Sequence, residues 1–286
     1  MVTLVACPKP FKGDIGIIQN NAIKSWLGLF PPGQVILAGS EHGVREVCSE
    51  FGLKHIENIK LNAYGTPLLS SILSSAKKAC DGEFLCLVNC DILLFDDFIE
   101  TFEAVKQKFE GRDFFLSGRR WLSSSVTPLD FGEKEQNDLI KERLLAESKL
   151  DTPWAIDYFL FPKECMEDVP PFALGRCGWD NWLLYQAKRK GLRLVDATGG
   201  ITAIHQRHDY SHSPFITKGR FTFIYGPEVF ENLKLCVKGS RHFTLLDADF
   251  SIQNGKVSKI CFSRFALRAF THVKSRLRCL FKAERG

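Results

Sequence analysis

Residues 84–91 read Phe84-Leu85-Cys86-Leu87-Val88-Asn89-Cys90-Asp91, an apolar run that ends in an Asn-x-Asp pair. A short apolar run between turn signals, here Asp81-Gly82 before it and Asp91 after it, has the pattern of a strand buried on both faces. Sheets of such strands are parallel and covered by helices, and their ligands bind beyond the carboxyl ends of the strands. Asp91 therefore stands where a site would open. A carboxylate there can hold Mg2+ or Mn2+ against a diphosphate, or it can cap the turn that follows.

Working outward, apolar runs at 2–7, 34–39 and 53–57 read as further strands. Helical patterns lie between them at Gln19 to Phe30, Gly43 to Phe51 and Pro67 to Ala79. Beyond Asp91, Asp96 is positioned to cap a helix whose apolar face is Phe98, Phe102, Val105 and Phe109. Phe114 to Ser117, Ala155 to Phe161 and Leu192 to Ala197 read as strands, and an apolar run ends at His205. Residues 133–150 form a charged helix carrying Leu139, Ile140, Leu144 and Leu145, and Asn254-Gly255 marks a hairpin. The expected fold is α/β, with a Rossmann-like, mostly parallel central sheet flanked by helices.

The chain has 286 residues, 45% of them hydrophobic and 25% charged, which suits one large α/β domain and excludes disordered and low-complexity classes. Ten cysteines include no Cys-x-x-Cys pair, so zinc-ribbon and thioredoxin-type readings have no support. Those inside apolar runs, such as Cys86, read as reduced thiols and point to a cytoplasmic location. No run approaches the roughly 18 apolar residues of a membrane span, and Thr3 to Cys7 is too short for a signal-peptide core.

The net charge of +5 is unevenly spread. Residues 256–286 carry nine basic residues and one acidic one, Glu284, so residues 1–255 are net −3. A mildly acidic body excludes a basic nucleic-acid-binding surface. In the tail, Phe262, Phe265, Ala269, Val273 and Leu280 fall on one side of a helical wheel, opposite Arg264, Arg268, Arg278 and Lys282. Such a basic amphipathic helix over 258–286 would lie on an anionic membrane surface, making the protein peripheral on its cytoplasmic face, or pack on the body. The expected division is a catalytic domain at 1–239, then a hairpin and helix at 240–286.

Two more segments carry chemical groups. Gly178-Trp179-Asp180-Asn181-Trp182 places Asp180 at a helix start between two indoles, where it serves either as cap or as an ionised general base. His205-Gln206-Arg207-His208-Asp209-Tyr210-Ser211-His212 holds three of the seven histidines directly after a strand, as metal ligands or as a solvated loop. The helical His-Glu-x-x-His of zinc hydrolases is absent.

Together with Gly65-Thr66-Pro67-Leu68-Leu69 and Pro170-Pro171-Phe172-Ala173, these segments resemble nucleotide-sugar glycosyltransferases of the GT-A fold, in particular a family-2-like group, over roughly the first 225 residues. The resemblance implies transfer of a sugar from a nucleotide-diphosphate donor, UDP- or GDP-linked, to a hydroxyl of a glycan or lipid-linked acceptor, with Mn2+ or Mg2+ as cofactor. Asp91 resembles the last Asp of the metal-binding Asp-x-Asp motif, in which Asn89 stands at the first position. His205 or His208 is similar to the His that completes the metal site. Asp180 resembles the carboxylate that deprotonates the acceptor in inverting members, with Trp179 walling the acceptor pocket and Asn181 beside it. Pro8, Lys9, Ser40, Glu41 and Thr66 are the expected nucleotide contacts, and Arg120 and Asp157 the expected contacts to sugar hydroxyls. Two rival functions are a sugar-phosphate nucleotidyltransferase, whose Gly-rich loop is absent at Pro8 to Gly13, and an inactive carbohydrate-binding relative.

Overall fold

The alternation of apolar side chains along each strand decides the layers. In β1 (Val2–Ala6), Val2, Leu4 and Ala6 enter one core and Val5 the other. In β2 (Val35–Ala38), Val35 and Leu37 oppose Ile36 and Ala38, and in β4 (Phe84–Val88), Phe84, Cys86 and Val88 oppose Leu85 and Leu87. With both faces apolar, the sheet must be covered twice. Helices α1 (Gly13–Leu27), α2 (Val44–Phe51), α4 (Asp97–Lys108) and α5 (Lys134–Glu147) cover the first face, and α3 (Leu69–Ala79) and α6 (Trp179–Arg189) the second. The computed structural model describes residues 1–110, 113–124, 126–207, 226–237 and 240–260. None of its helices is long and apolar enough to cross a membrane.

Among the described residues nine strands form the main sheet, in the order β13-β12-β10-β6-β9-β4-β1-β2-β3. The remaining members are β3 (Lys54–Ile56), β6 (Phe114–Ser117), β9 (Tyr158–Pro162), β10 (Arg193–Gly199), β12 (Phe250–Gln253) and β13 (Lys256–Lys259). Neighbours are parallel except β9, which runs against both β4 and β6, and the β12–β13 hairpin turning at Asn254-Gly255. Four short strands make a second sheet, β5 (Ile92–Leu93), β11 (Ile204–Gln206), β7 (Trp121–Ser123) and β8 (Lys149–Leu150). Helix α7 (Pro227–Leu235) follows. The mostly parallel, helix-covered sheet expected from the sequence is thus the fold.

Several local expectations are corrected. Helix α1 starts at Gly13, six residues before Gln19, after a loop held by mutual hydrogen bonds between Lys9 and Gln19. Asp96 does not cap α4 with its side chain. Its own backbone is already helical (φ −53°, ψ −31°), which turns the carboxylate away from the following amides. Asp180 is not a cap either; Gly178, at φ 105°, opens α6 in a conformation glycine adopts without strain. Strand β9 begins at Tyr158 and not at Ala155, because Ala155 N–H closes a turn onto the Thr152 carbonyl. On α5, Ile140 and Leu144 are buried while Leu139 faces solvent. Residues 240–260 dock on the main sheet through β12; of the helix expected over 258–286, residues 258 and 259 belong instead to β13, paired with β12, and 261–286 lie outside the described residues.

Gly118, just after β6, shows how tightly the carboxyl edge is packed. A β-carbon there would lie 2.1 Å from Tyr158 Oη and 2.9 Å from the Thr198 nitrogen, and the Tyr158 side chain is fully buried. Neither neighbour can retreat, so Gly118→Ala is expected to lower unfolding free energy by about 1–3 kcal/mol, read as an earlier urea midpoint. An unchanged midpoint would contradict the packing described.

Candidate functional site

The carboxyl ends of β1, β2, β4 and β6 and the start of reversed β9 share one edge of the sheet, and most of the expected site residues stand there. Residue 91 lies in the bend between β4 and β5. Because β5 pairs antiparallel with β11 in the register Ile92 to His205, the bend is laid beside the second sheet. The Gln206 amide donates to the Asp91 carbonyl at 3.1 Å. The Gln206 side chain, 1% exposed, donates to Ile18 O and accepts from Asn21 Nδ2, tying β11 to α1. In this frame His205 Nε2 lies 3.3 Å from Asp91 Oδ2, with His205 4% exposed.

One carboxylate and one imidazole in contact form a donor pair that suits Mn2+, and a bound diphosphate and water can complete its coordination. The pair therefore fits the metal through two protein ligands. Among the described residues no group of three or more His, Cys, Asp or Glu is arranged to hold an ion. His208 lies outside the described residues. Asn89 faces elsewhere: its Nδ2 donates to Asp157 Oδ1 at 2.7 Å.

Asp157 is the hub of the second half of the site. It is 5% exposed, and besides Asn89 it accepts from Arg120 Nη1 at 2.7 Å. Arg120 also reaches Asp151 at 3.1 Å, so one guanidinium clamps both ends of the 151–157 loop. Asp180, in the first turn of α6, feels the charge of Asp157. Burial, with the Asp157 charge added, pushes the Asp180 carboxyl up to about 6, against the lowering effect of the Asn181 N–H bonded to its Oδ1 at 2.9 Å. A carboxylate so tuned is mostly ionised at neutral pH and is a competent proton acceptor. Asn181 donates its side-chain amide to Phe243 O, and Trp179 is 5% exposed with its ring against Phe159.

The expected nucleotide contacts divide. Pro8 is buried and Lys9 half-buried in the loop after β1, while Ser40 and Glu41 are exposed after β2, all on the same edge. Thr66 belongs to a different group. Its N–H donates to Asn62 Oδ1 and its hydroxyl meets Arg176, which pairs with the buried Glu228 of α7 at 2.7 Å. Thiols near the edge are inert: burial and the charge of Glu41 push Cys7 up to about 12, and burial raises Cys90 well above the ordinary thiol value. Asp151 and Glu228 escaped the sequence reading. Their pairing with Arg120 and Arg176 spans distant segments, and neither lies in a recognisable spacing.

No protein-family model matches the chain, and no curated protein matches it. Solved structures are similar to it at low identity. A mannosyltransferase from Pyrobaculum calidifontis in complex with GDP-Man and Mn2+ is 13% identical, with 71% of this chain and 56% of that one covered and a TM-score of 0.45. For TarS 1–349 of S. aureus in complex with UDP-GlcNAc the values are 13%, 87%, 68% and 0.48. For the bifunctional IspDF of Campylobacter jejuni they are 13%, 69%, 49% and 0.38. The chain spans about half the length of the first and the last of these proteins. Likenesses of this degree assign no activity, which has to be argued from the site.

Proposed function

We propose that the protein is a glycosyltransferase that moves a sugar from a nucleotide-diphosphate donor to an acceptor hydroxyl, with inversion, and that Asp180 is its base. The observation that carries this reading is the pairing, on one sheet edge, of a carboxylate–imidazole metal-type pair with a second, half-buried carboxylate raised to about 6. The two halves suit the two electrostatic demands of the reaction, charge growing on a leaving diphosphate and a proton leaving the nucleophile.

Asp91 and His205 would hold Mn2+ or Mg2+, with His208 a further candidate ligand. When bound, the ion supplies positive charge beside the departing diphosphate. Asp180 takes the proton from the acceptor hydroxyl as that oxygen forms its bond to the anomeric carbon and the bond to the diphosphate oxygen breaks. Arg120 and Asp157, fixed against each other, offer a donor and an acceptor to sugar hydroxyls. Lys9, Ser40 and Glu41 lie on the side left for the nucleotide. An acceptor that is a glycan or a lipid-linked glycan agrees with the basic tail.

A thermal-shift screen of UDP-, GDP-, CMP- and dTDP-sugars, with Mn2+ and with chelator, tests the reading. One donor class should raise Tm by on the order of 5 °C at a hundredfold excess over Kd, and only with metal. Asp91→Ala should remove the metal-dependent part of that shift while the ligand-free Tm stays close to wild type. No shift with any donor would overturn the proposal.

A further inference from the structure

Strand β5, which follows Asp91, pairs with β11 on one side, and helix α1 meets it with side-chain hydrogen bonds. Trp26 Nε1 donates to Ile92 O at 2.9 Å, and Ser25 Oγ accepts from Leu94 N–H at 3.2 Å. One turn earlier on α1, Asn21 donates to Gln206 Oε1 at 2.8 Å and to Thr127 O at 2.9 Å, while its Oδ1 accepts from Leu129 N–H at 2.8 Å. Gln206 Nε2 donates to Ile18 O at 2.9 Å and to Asp91 O at 3.4 Å. Both hydrogens of each amide are therefore used, and each oxygen accepts one bond. The pair is interior, Asn21 being 2% and Gln206 1% exposed.

Apolar contact alone could hold α1 against β5, and it would avoid the desolvation of two amides. What the amides add is direction, which hydrophobic contact lacks. Successive residues of a strand point to opposite faces, yet on β11 two successive residues grip the same partner. His205 Nε2 meets the Asp91 carboxylate at 3.3 Å, and Gln206 holds the Asp91 carbonyl with its main-chain N–H at 3.1 Å and with its side chain. Asp91 is thus fixed at backbone and side chain, and Asn21 fixes Gln206 in turn. Two residues before Asn21, Gln19 exchanges two hydrogen bonds with the Lys9 main chain, so the loop on the nucleotide side is anchored to the same helix. A centre with only two protein ligands depends on their alignment before the ion arrives, because ordering them on binding subtracts from affinity.

Resting on the metal reading above, we infer that Asn21 and Gln206 are positioning residues for the Asp91–His205 pair. They act on the ion through those two ligands, Asn21 through Gln206, and supply no ligand of their own.

The test follows Mn2+ binding to the full chain, alone and with UDP or GDP present, as loss of the free-ion EPR signal. Asp91→Ala should abolish the bound fraction seen in wild type, which assigns the signal to the pair. Gln206→Met keeps the side-chain length without the directional bonds; it should raise the Mn2+ Kd about 10- to 100-fold while the metal-free Tm stays within about 10 °C. Asn21→Ala should raise Kd by roughly three- to tenfold, and adding it to Gln206→Met should change Kd by less than about twofold, since the two act in series. Glu228→Ala, destabilised at α7, should bind Mn2+ as wild type does, which separates positioning from general loosening. Wild-type Mn2+ affinity in folded Gln206→Met or in Asn21→Ala would overturn the inference, and if the first does not fold the second decides it. The underlying reading fails separately: absence of Mn2+ binding by wild type under every condition defeats the metal pair itself, whereas Mn2+ bound equally by wild type and both variants defeats only the positioning role.

Discussion

Asp180→Asn is expected to lower kcat by about 100- to 10,000-fold, the span covered by a positioned general base. The amide keeps the shape of the carboxylate and can still accept from the Asn181 N–H, so the helix start should survive. Wild-type kcat/KM should climb with pH up to about 6 and level off above it, because the base works only when ionised. The same shift has the opposite effect on stability. A folded pKa of about 6 against an ordinary value of 3.8 means that the folded chain holds a proton the unfolded chain has released. Ionisation of Asp180 therefore costs no stability below the unfolded value and its full penalty above about pH 6. Asp180→Asn, always neutral, should raise the urea midpoint at pH 8, by up to about 2 kcal/mol in free energy, and leave it nearly unchanged at pH 4. Loss of turnover together with a gain in stability distinguishes a removed base from a damaged fold. Wild-type kcat in this variant would end the assignment.

Glu228→Ala should produce the largest loss of stability, about 3–5 kcal/mol. Glu228 is 2% exposed and binds three partners at once: Arg176 at 2.7 Å, Asn62 Nδ2 at 2.8 Å and the Thr66 hydroxyl. Burial pushes its carboxyl up, but the hydrogen bonds from Asn62, Thr66 and Arg176 outweigh burial and leave its pKa below the ordinary 4.5. Its contribution is accordingly present above pH 4.5 and lost as pH falls through the depressed folded value. Truncation leaves the Arg176 charge and the Asn62 amide without their carboxylate, and it frees the 61–67 loop from α7. Urea denaturation at pH 7 measures the loss, and Glu228→Gln, which keeps the volume, should recover part of it. A change under 1 kcal/mol in the alanine variant would show that the latch contributes little.

What could be read directly from the sequence was whatever depends on local periodicity. The two-sided apolar strands, the α2 and α3 patterns and the Asn254-Gly255 hairpin need only neighbours a few residues away. Asp91 is a candidate on sequence alone because a polar residue that ends a buried strand has few places to go. The reversal of β9 was not legible, since an apolar run gives no direction. Nor was the partner of Asn89: the Asn-x-Asp spacing suggests two groups facing one ion, yet the amide reaches to Asp157, 68 residues away. The Trp179-Asp180-Asn181-Trp182 pattern singles out Asp180 as a candidate, whereas the fate of its two rings depends on Phe159 and Phe172, which only the fold brings near.

Because β9 runs against its neighbours, its first residue and not its last lies at the edge where β4 ends. A parallel strand that ends there passes straight into the connection leading to its crossover helix, so an insertion after it displaces a layer. The arm leading into β9 launches no helix. Between the two ends that Arg120 clamps, residues 152–156 belong to no named strand, so a change of bulk there leaves every strand its partners. The shape of that corner, beside Asp157, can thus be altered without disturbing the sheet or its two coats of helices.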